Sequence, residues 1–374
     1  MKKVLIKLKY LFMRLFGFKG GSASLMLNAL KRDIANKDVP LPTKIWAWRK
    51  GFMGSRVYTY GINERNYKNH MPDFDYLKLH PINGRYSSWI DDKLTMKYLL
   101  APFNNFLPKY YFQIKDNAIL KLMDCPDGIN PDIDGIISLL ERDTNIALKL
   151  LSGSLGRGFY RLTYENGVFR INTKDVSLDK MTELIGNANG YLATEYVTAH
   201  EEIRRIYDVT PNTLRIQLTR DRNKNPKITG GFMRFGTKKS GLLEIAAAGT
   251  IFTAVNFKNG LTYNPKRKIG NNLEIIRLHP DTNESLEIAL PNWSIIKEKL
   301  FEISNFMPQL SYLGFDIIIT DNGFKIIEIN SLSALAFLPY YYPFFEDEYC
   351  KEFFKKKFKE KPNSFKRILK ILES

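Results

Sequence analysis

The apolar positions of the chain switch between a helical period of 3.6 and a strand period of two. At the start, Val4, Leu5, Leu8, Leu11, Phe12, Leu15 and Phe16 fall on one helical face opposite Lys3, Lys7 and Arg14, which predicts an amphipathic helix. Residues 21–90 mix Tyr, Trp, Asn, Gly and basic side chains with little strand–helix alternation. From residue 91 the pattern sharpens. A helix is expected over 91–100, capped by Asp91 or Asp92, and a second over 132–142 with Ile133, Ile136, Ile137 and Leu140 on one face. Residues 145–151 read as a strand running into a loop at 152–158, and a hairpin over 159–164 and 168–172 turns at Glu165-Asn166-Gly167. A helix near 179–188 and a strand near 190–197 follow. Further strands are expected at 213–219, 227–234 and 250–257, then a helix at 293–306 and a last hairpin over 315–320 and 324–329. Most strand pairs read as antiparallel, so the class is α+β rather than a doubly wound parallel sheet.

Composition narrows this picture. The 374 residues are 44% hydrophobic, enough for a large multi-lobed core. Two distant cysteines, Cys125 and Cys350, build no disulfide framework and suit a reducing compartment. The four histidines are scattered without zinc-site spacing. The net charge of +17 sits mainly at the ends: six basic residues and no acid in 1–20, and nine basic residues against three acids in 351–374. That describes a globular body with basic ends, not a basic groove, and no nucleic-acid partner is expected. For the N-terminal helix two readings stay open: docked on its own protein, or lying on an anionic membrane surface. No run of about twenty apolar residues exists to span a bilayer. Lysines interrupt the N-terminal apolar stretch, which is unlike a signal peptide. A cytoplasmic protein is expected, with attachment at the inner face of the membrane as the open alternative.

The last hairpin carries candidate metal chemistry. A three-residue loop Asp321-Asn322-Gly323 sets Asp316 across from Glu328, and Glu328 shares a strand face with Asn330. Two carboxylates and an amide oxygen then converge among isoleucines. Two close carboxylates raise each other's pKa, and magnesium, which takes few carboxylates plus phosphate oxygens, would relieve that. The plainer alternative has Asp316 ending a strand and Glu328 in solvent.

Upstream, Lys149 interrupts the apolar strand Ile146-Ala147-Leu148-Lys149-Leu150-Leu151. A lysine there is expensive unless it meets an anion. Directly after it, Ser152-Gly153-Ser154-Leu155-Gly156-Arg157-Gly158 can turn backbone N–H groups toward phosphates. No Gly-Lys-Ser/Thr follows, so this is not a P-loop. A glycine loop alone is most often a turn; its weight comes from the company of Lys149 and the distant Asp316, Glu328 and Asn330.

With these motifs, the stretch from about residue 89 to 340 resembles the ATP-grasp superfamily, and within it the sugar-transfer associated ATP-grasp proteins linked to surface-polysaccharide genes. The resemblance implies an ATP-grasp fold, two α+β lobes sandwiching the nucleotide, with a short basic N-terminal region and a basic C-terminal tail helix. It implies a division into residues 1–88, a small lobe at 89–195, a metal-bearing lobe at 196–345 and a basic tail at 346–374. ATP and magnesium are the implied cofactors. Lys93 and Lys149 resemble the phosphate lysines, and Ser152, Gly153, Ser154, Gly156 and Gly158 the loop closing over them. Thr194-Glu195-Tyr196-Val197 resembles the adenine hinge, with Glu195, Tyr196 and Val197 at the base. Glu202 matches the ribose acid, with Glu201 as its rival. Asp316, Glu328 and Asn330 resemble the magnesium ligands, and Arg215 and Arg234 the arginines at the reacting groups. Two features depart from the family pattern: residues 1–90 do not read as a Rossmann-like domain, and Asn330 leads into Ser331-Leu332-Ser333-Ala334 instead of a glycine-bearing turn.

The implied reaction activates a carboxylate as an acyl phosphate and passes it to an amine. The expected partners are an amino acid or small amine and a carboxylate-bearing sugar or glycan, here a uronic acid in capsule or surface polysaccharide synthesis. The N-terminal helix is the expected contact to membrane or a glycosyltransferase. Two alternatives share parts of the evidence: an ATP-grasp kinase acting on a hydroxyl, and a non-catalytic membrane- or polyanion-binding protein using the basic ends.

Overall fold

The computed structural model of the protein describes residues 17–18, 20–151, 158–242, 244, 248–333 and 341–373. Ahead of the first strand the described chain is helical, with its longer helices at Gly20–Ala35, Leu41–Lys50 and Asp73–Leu79. The amphipathic segment predicted within residues 1–16 lies outside the described residues.

Two seven-stranded sheets follow. The first contains β1 (Tyr110–Lys115), β2 (Ala118–Lys121), β3 (Asn145–Leu150), β4 (Tyr160–Glu165), β5 (Val168–Ile171), β6 (Lys174–Val176) and β7 (Tyr191–Glu195). Its order is β2-β1-β7-β3-β4-β5-β6, every neighbour antiparallel. Helices Ile133–Asp143 and Leu178–Gly186 bury Ile136, Leu140, Met181 and Ile185 against Phe112, Ile146, Leu148 and Leu162. Asp132 caps the first helix, accepting from the Gly135 N–H at 2.7 Å, and Ser177 caps the second. The β4–β5 hairpin is one residue tighter than expected. Glu165 pairs with Val168, and Asn166-Gly167 alone makes the turn, with φ of 51° and 80°. Two consecutive positive φ values match the strand twist, and Asn-Gly adopts them most readily.

The second, larger sheet contains β8 (Leu214–Arg220), β9 (Pro226–Phe235), β10 (Ile251–Val255), β11 (Thr262–Ile269), β12 (Asn272–Ile275), β13 (Tyr312–Thr320) and β14 (Gly323–Asn330). Its order is β12-β11-β10-β9-β8-β13-β14, again antiparallel throughout. Helix Trp293–Phe306 covers one face, packing Ile296, Leu300 and Ile303 against Ile216, Met233, Phe315 and Ile317. The class is α+β, as the spacing predicts.

The other face of this sheet is divided. Around Tyr312, Phe232 and Phe252 it is covered by an aromatic layer from the end of the chain. The basic stretch read as one tail helix forms two, Glu348–Lys359 and Lys366–Glu373, with Pro362 between them. Phe353, Phe354 and Phe358 are buried from the first and Ile368, Leu369 and Leu372 from the second. At about 1.5–3 kcal/mol per buried large side chain, these helices are docked parts of the body. Further along the same face, toward β14, the sheet turns polar.

Candidate functional site

The polar part of the face is a row of charges written across four strands. Asp316 on β13 pairs directly with Glu328 on β14 and with Arg215 on β8. The expected pairing of Asp316 with Glu328 is present, but the turn that produces it differs from the expected one. Thr320 pairs with Gly323, so the loop is only Asp321-Asn322, and Gly323 takes its positive φ of 126° as the first residue of β14. That tighter turn alone would slip the register by one. A bulge between Asp316 and Ile317 restores it: Ile317 faces Ile326, while Asp316 faces Glu328. The inserted residue, Ile327, shifts the strand's alternation and carries Glu328 and Asn330 to the polar face together.

Asp316 is 4% exposed and holds two guanidiniums. Arg215 binds it bidentately, Nε to Oδ1 and Nη2 to Oδ2, both at 2.6 Å. Arg234 adds Nη2 to Oδ1 at 2.6 Å, and Asn330 Nδ2 lies 3.4 Å from Oδ2. Burial alone would raise the Asp316 carboxyl, but Arg215 and Arg234 together hold it below the usual carboxylate range. For Arg215 burial works against the charge and Asp316 outweighs it, so its pKa is raised. On its far side Arg234 approaches Glu244, with Nε 3.4 Å from Oε2. Glu244 also accepts from the Thr213 N–H at 3.0 Å and from the Thr213 hydroxyl. Burial pushes the Glu244 carboxyl up despite Arg234. Two acids and two arginines thus alternate in a nearly dry row.

The two predicted phosphate lysines meet this row from different elements. Lys93 opens helix Lys93–Leu99, which Asp92 caps through the Thr95 N–H at 2.7 Å, and its Nζ lies 3.5 Å from Glu328 Oε1. Lys149 comes from β3 of the small sheet. Its Nζ sits 3.4 Å from the Tyr110 hydroxyl and 4.7 Å from the centroid of that ring. Burial and the charge of Lys93 bring the Lys149 pKa down to about 7, only partly offset by Glu328. The small and large sheets therefore face each other here. Behind the two lysines, fully buried Lys97 binds Asp124 at 2.6 Å and the Pro108 carbonyl at 2.8 Å, and also Asn104.

The other predicted residues lie at the junction between the sheets. Glu195 ends β7, and its Oε2 accepts from the Lys109 N–H at 2.9 Å. Tyr196 lies under Arg161, 4.4 Å from guanidinium carbon to ring centroid, and Val197 is buried. Glu202 and Glu201 are exposed in the first turn of helix Glu201–Ile206. The Glu201 N–H donates to Asp321 Oδ1 at 2.9 Å, tying that helix to the β13–β14 turn. No hydrogen bond among the described residues joins Glu195, Tyr196 or Glu202 to the charged row. Ser152, Gly153, Ser154 and Gly156 lie outside the described residues. Gly158 is described at φ 66°, where an added Cβ would meet the Tyr191 hydroxyl at 2.6 Å and Leu150 Cδ1 at 2.9 Å.

Sequence reasoning missed five contributors: Asp91, Ser331, Ser333, Tyr76 and Glu244. Asp92 caps the helix, which leaves the Asp91 carboxylate to accept from the Ser331 N–H at 2.9 Å and the Ser331 hydroxyl at 2.6 Å. The Ser333 hydroxyl accepts from Arg215 Nη1 at 3.1 Å, and the Ser333 carbonyl accepts from the Tyr76 hydroxyl at 2.5 Å. Ser333 also packs on Gly314, where a Cβ would come within 2.7 Å of its Oγ. The segment after Asn330, which departs from the family's glycine turn, is thereby clamped by the N-terminal helices. Glu244 is the fifth. Its only sequence signal is an acid in an apolar run.

Comparisons with known proteins bear on this arrangement. The sequence profile of the family described as sugar-transfer associated ATP-grasp matches residues 77–341. The comparison with curated proteins gives no match. Among solved structures, the chain is similar to biotin carboxylase from Campylobacter jejuni in a β-γ-ATP complex, at 12% identity over 72% of this chain and 46% of that one, with a TM-score of 0.42. It is also similar to D-alanyl-alanine synthetase A from Vibrio cholerae, at 11% identity over 77% and 66%, with a TM-score of 0.40. A third is the biotin carboxylase domain of 2-oxoglutarate carboxylase from Hydrogenobacter thermophilus, in complex with MgADP, ADP and bicarbonate. There the identity is 14% over 66% and 41%, with a TM-score of 0.36. The chain spans about half the length of the solved chains it matches.

Proposed function

Because the chain belongs to the sugar-transfer associated ATP-grasp family, we propose that it is an ATP- and magnesium-dependent ligase that activates a carboxylate and joins it to an amine. The observation that carries this reading is the meeting of Lys149 from one sheet, Lys93 from a helix and Glu328 from the other sheet, beside a row holding Asp316 and two arginines. Two lysines this close, one with its pKa near 7, are a receptor for a polyanion.

The donor set fits magnesium. Glu328 is a partly exposed carboxylate, Asn330 offers an amide oxygen, and Asp316 Oδ2 carries one short bond and one long one. These are hard oxygens in small number, and among the described residues no three His, Cys, Asp or Glu side chains gather into a fuller cage. When bound, the metal neutralises phosphate oxygens as charge develops on them. Lys93 and Lys149 hold the phosphates. In this reading Glu195, Tyr196 and Val197 receive the adenine, Glu202 or its neighbour Glu201 the ribose, and the loop with Ser152, Gly153, Ser154, Gly156 and Gly158 closes over the phosphates.

The acceptor carboxylate attacks the γ-phosphorus, the bond to ADP breaks, and an acyl phosphate forms. The amine nitrogen then attacks the acyl carbon, phosphate leaves, and the nitrogen loses a proton. Arg215 is locked by Asp316 and Ser333, a rigid donor for the tetrahedral oxyanion worth about 3 kcal/mol. Arg234 is held by one short bond, leaving its other donors to orient the incoming carboxylate. The family description names sugar transfer, which supports a sugar or glycan as a substrate; we read its carboxylate as that of a uronic acid and its partner as an amino acid or small amine. No helix among the described residues is long and apolar enough to cross a membrane. We place the reaction in the cytoplasm, with the N-terminal segment as the contact to the inner membrane face or to a glycosyltransferase.

Hydroxylamine trapping tests the chemistry. With ATP, magnesium and a panel of uronic acids, a hydroxamate should form only where ATP is consumed. ATP turnover that yields a stable phosphate ester and no hydroxamate would replace the ligase with a kinase.

A further inference from the structure

The two basic ends of the chain, far apart in sequence, meet in space. The chain enters the described residues at Gly17, where an added Cβ would lie 3.2 Å from Lys78 Cδ. Phe18 is buried, and the Lys78 ammonium sits 5.7 Å from the centroid of its ring and 5.7 Å from that of Phe365. Lys78 Nζ also donates to the Ser364 carbonyl at 3.5 Å. One lysine thus ties the start of the described chain to the entry of the last helix, Lys366–Glu373. Residues 1–16, with five basic side chains, no acid and an amphipathic pattern, join the body at this point.

Helices Glu348–Lys359 and Lys366–Glu373 bury their aromatic and aliphatic sides, which turns most of their lysines outward. The acids of residues 351–373 are already taken. Glu352 pairs with Arg222 at 2.6 Å, Glu360 with Lys357 at 3.2 Å and Glu373 with Lys359 at 3.8 Å. Lys356, Lys361, Lys366 and Lys370 are exposed, and none of the four has an ion pair among the described residues. A recess of about 500 Å³ is lined by Pro362, Asn363, Lys366, Leu369, Lys370 and Glu373. Lys366 and Lys370 stand one helical turn apart on its wall, and with Lys359 on the far side of Glu373 three cations face one carboxylate.

We propose that this face is a docking surface for a bilayer containing anionic phospholipid, with the recess of Lys366 and Lys370 at the phosphate groups and the amphipathic sequence of residues 1–16 entering the same surface. Charge and hydrophobicity together select this partner. A soluble polyanion rewards the lysines alone, whereas a bilayer also rewards the seven apolar side chains that share one face within residues 1–16. Residues 1–16 do not suit the recess as its occupant, because their five cations would meet its three, and a second copy of the chain would present the same cations again. Each basic side chain near an anionic leaflet strengthens partition about fivefold, and only within about one Debye length, so lysines gathered on one face add up where scattered ones do not. The inference rests on the ligase reading only for the side of the membrane, and the surface is built by residues outside the nucleotide site.

Sedimentation of the full chain with vesicles tests this, using phosphatidylcholine alone and phosphatidylcholine with about one third phosphatidylglycerol. Wild type should bind the anionic vesicles and not the neutral ones. Lys366→Gln/Lys370→Gln should lose about tenfold or more of that binding without a change in melting temperature, and Lys366→Arg/Lys370→Arg should keep most of it. Lys115→Gln/Lys121→Gln, the same charge change at exposed positions of β1 and β2, should bind like wild type. An equal loss in both glutamine variants would reduce the effect to net charge and overturn the proposal. Undiminished binding by Lys366→Gln/Lys370→Gln, or no binding by wild type, would overturn it as well. So would binding of heparin that depends on Lys366 and Lys370 while vesicles are ignored, which would make the partner a soluble polyanion. The thermal shift with MgATP, read in wild type and Lys366→Gln/Lys370→Gln, separates this from the nucleotide reading. It should be equal in the two, and its absence from both would sink the nucleotide site without altering the vesicle result.

Discussion

The two sheets have equal strand counts and the same antiparallel pairing, yet they carry their charges in opposite ways. On the large sheet Asp316 is held by Arg215 and Arg234, and Arg234 reaches on to Glu244, so the buried charges compensate one another within the chain. On the small sheet the close contacts of Lys149 among the described residues are a tyrosine ring and its hydroxyl, and repulsion by Lys93 is offset only in part by Glu328. The large sheet therefore offers a preorganised frame, with donors fixed before anything binds. The small sheet offers a positive charge waiting for a phosphate. A nucleotide clamped between them would complete the second with its own anions and leave the first nearly unmoved.

Several substitutions can break this contrast. The largest effect is expected from Glu328→Gln, which removes the proposed metal carboxylate, partly exposed and not part of the compensated quartet. Turnover should fall by roughly a thousandfold, the scale of losing a principal charge-stabilising group, with little change in melting temperature. A steady-state ATPase or ligase assay and a thermal melt check both halves. Next comes Arg215→Ala, which leaves Asp316 buried with a lost bidentate partner. Breaking a buried pair in this way should destabilise the protein by about 3 kcal/mol, read as a lower urea midpoint. If Glu328→Gln proved the less stable variant and Arg215→Ala the more active, the division between frame and chemistry would be wrong.

Lys149 sharpens the other side of the contrast through pH. Its pKa in the folded protein, about 7, is below the ordinary lysine value of 10.5. Between these values the unfolded chain binds more protons, so stability without nucleotide should rise as pH climbs from about 7 toward 10.5. Phosphate binding raises the lysine's pKa again, so at pH 8 nucleotide binding should take up protons. Calorimetry in buffers of different ionisation enthalpy measures that uptake, and Lys149→Met should remove it. The smallest effect is reserved for Tyr76→Phe, which deletes the hydrogen bond to the Ser333 carbonyl and the one shared with the Tyr312 hydroxyl. About 1 kcal/mol of stability should be lost, with a lower kcat at unchanged KM for ATP if Ser333 positions Arg215. A variant weaker only in stability would make Tyr76 a packing residue.

How much of this is legible in the sequence depends on the range of the interaction. Helix Trp293–Phe306 is legible to the residue because its apolar period is internal to it. Lys149 stands out because a charge in an apolar strand is a local anomaly. The facing of Asp316 and Glu328 is legible through strand alternation, although the local pattern suggests a turn one residue too long and hides the compensating bulge at Ile327. A bulge is a property of two strands, and neither strand's sequence shows it alone. Least legible are contacts spanning most of the chain: Asp91 with Ser331, Tyr76 with Ser333, Asn36 with Asn271. Asp91 and Asp92 look interchangeable as caps until packing assigns one to the helix and the other to a residue 240 positions away. The N-terminal region, whose pattern suggests little, supplies one partner of each of these contacts.

The central claim is that the two sheets clamp a magnesium-bound nucleotide, and ligand-induced stabilisation tests it most directly. Thermal melts with ATP, ADP or GTP, with and without magnesium, should be run on wild type and Glu328→Gln. At a hundred times its dissociation constant, a ligand bound only by the folded state adds about 2.7 kcal/mol. The account predicts a clear shift with ATP that depends on magnesium in wild type and loses that dependence in Glu328→Gln. No shift with any nucleotide, or one equally large and equally magnesium-dependent in the variant, would contradict it.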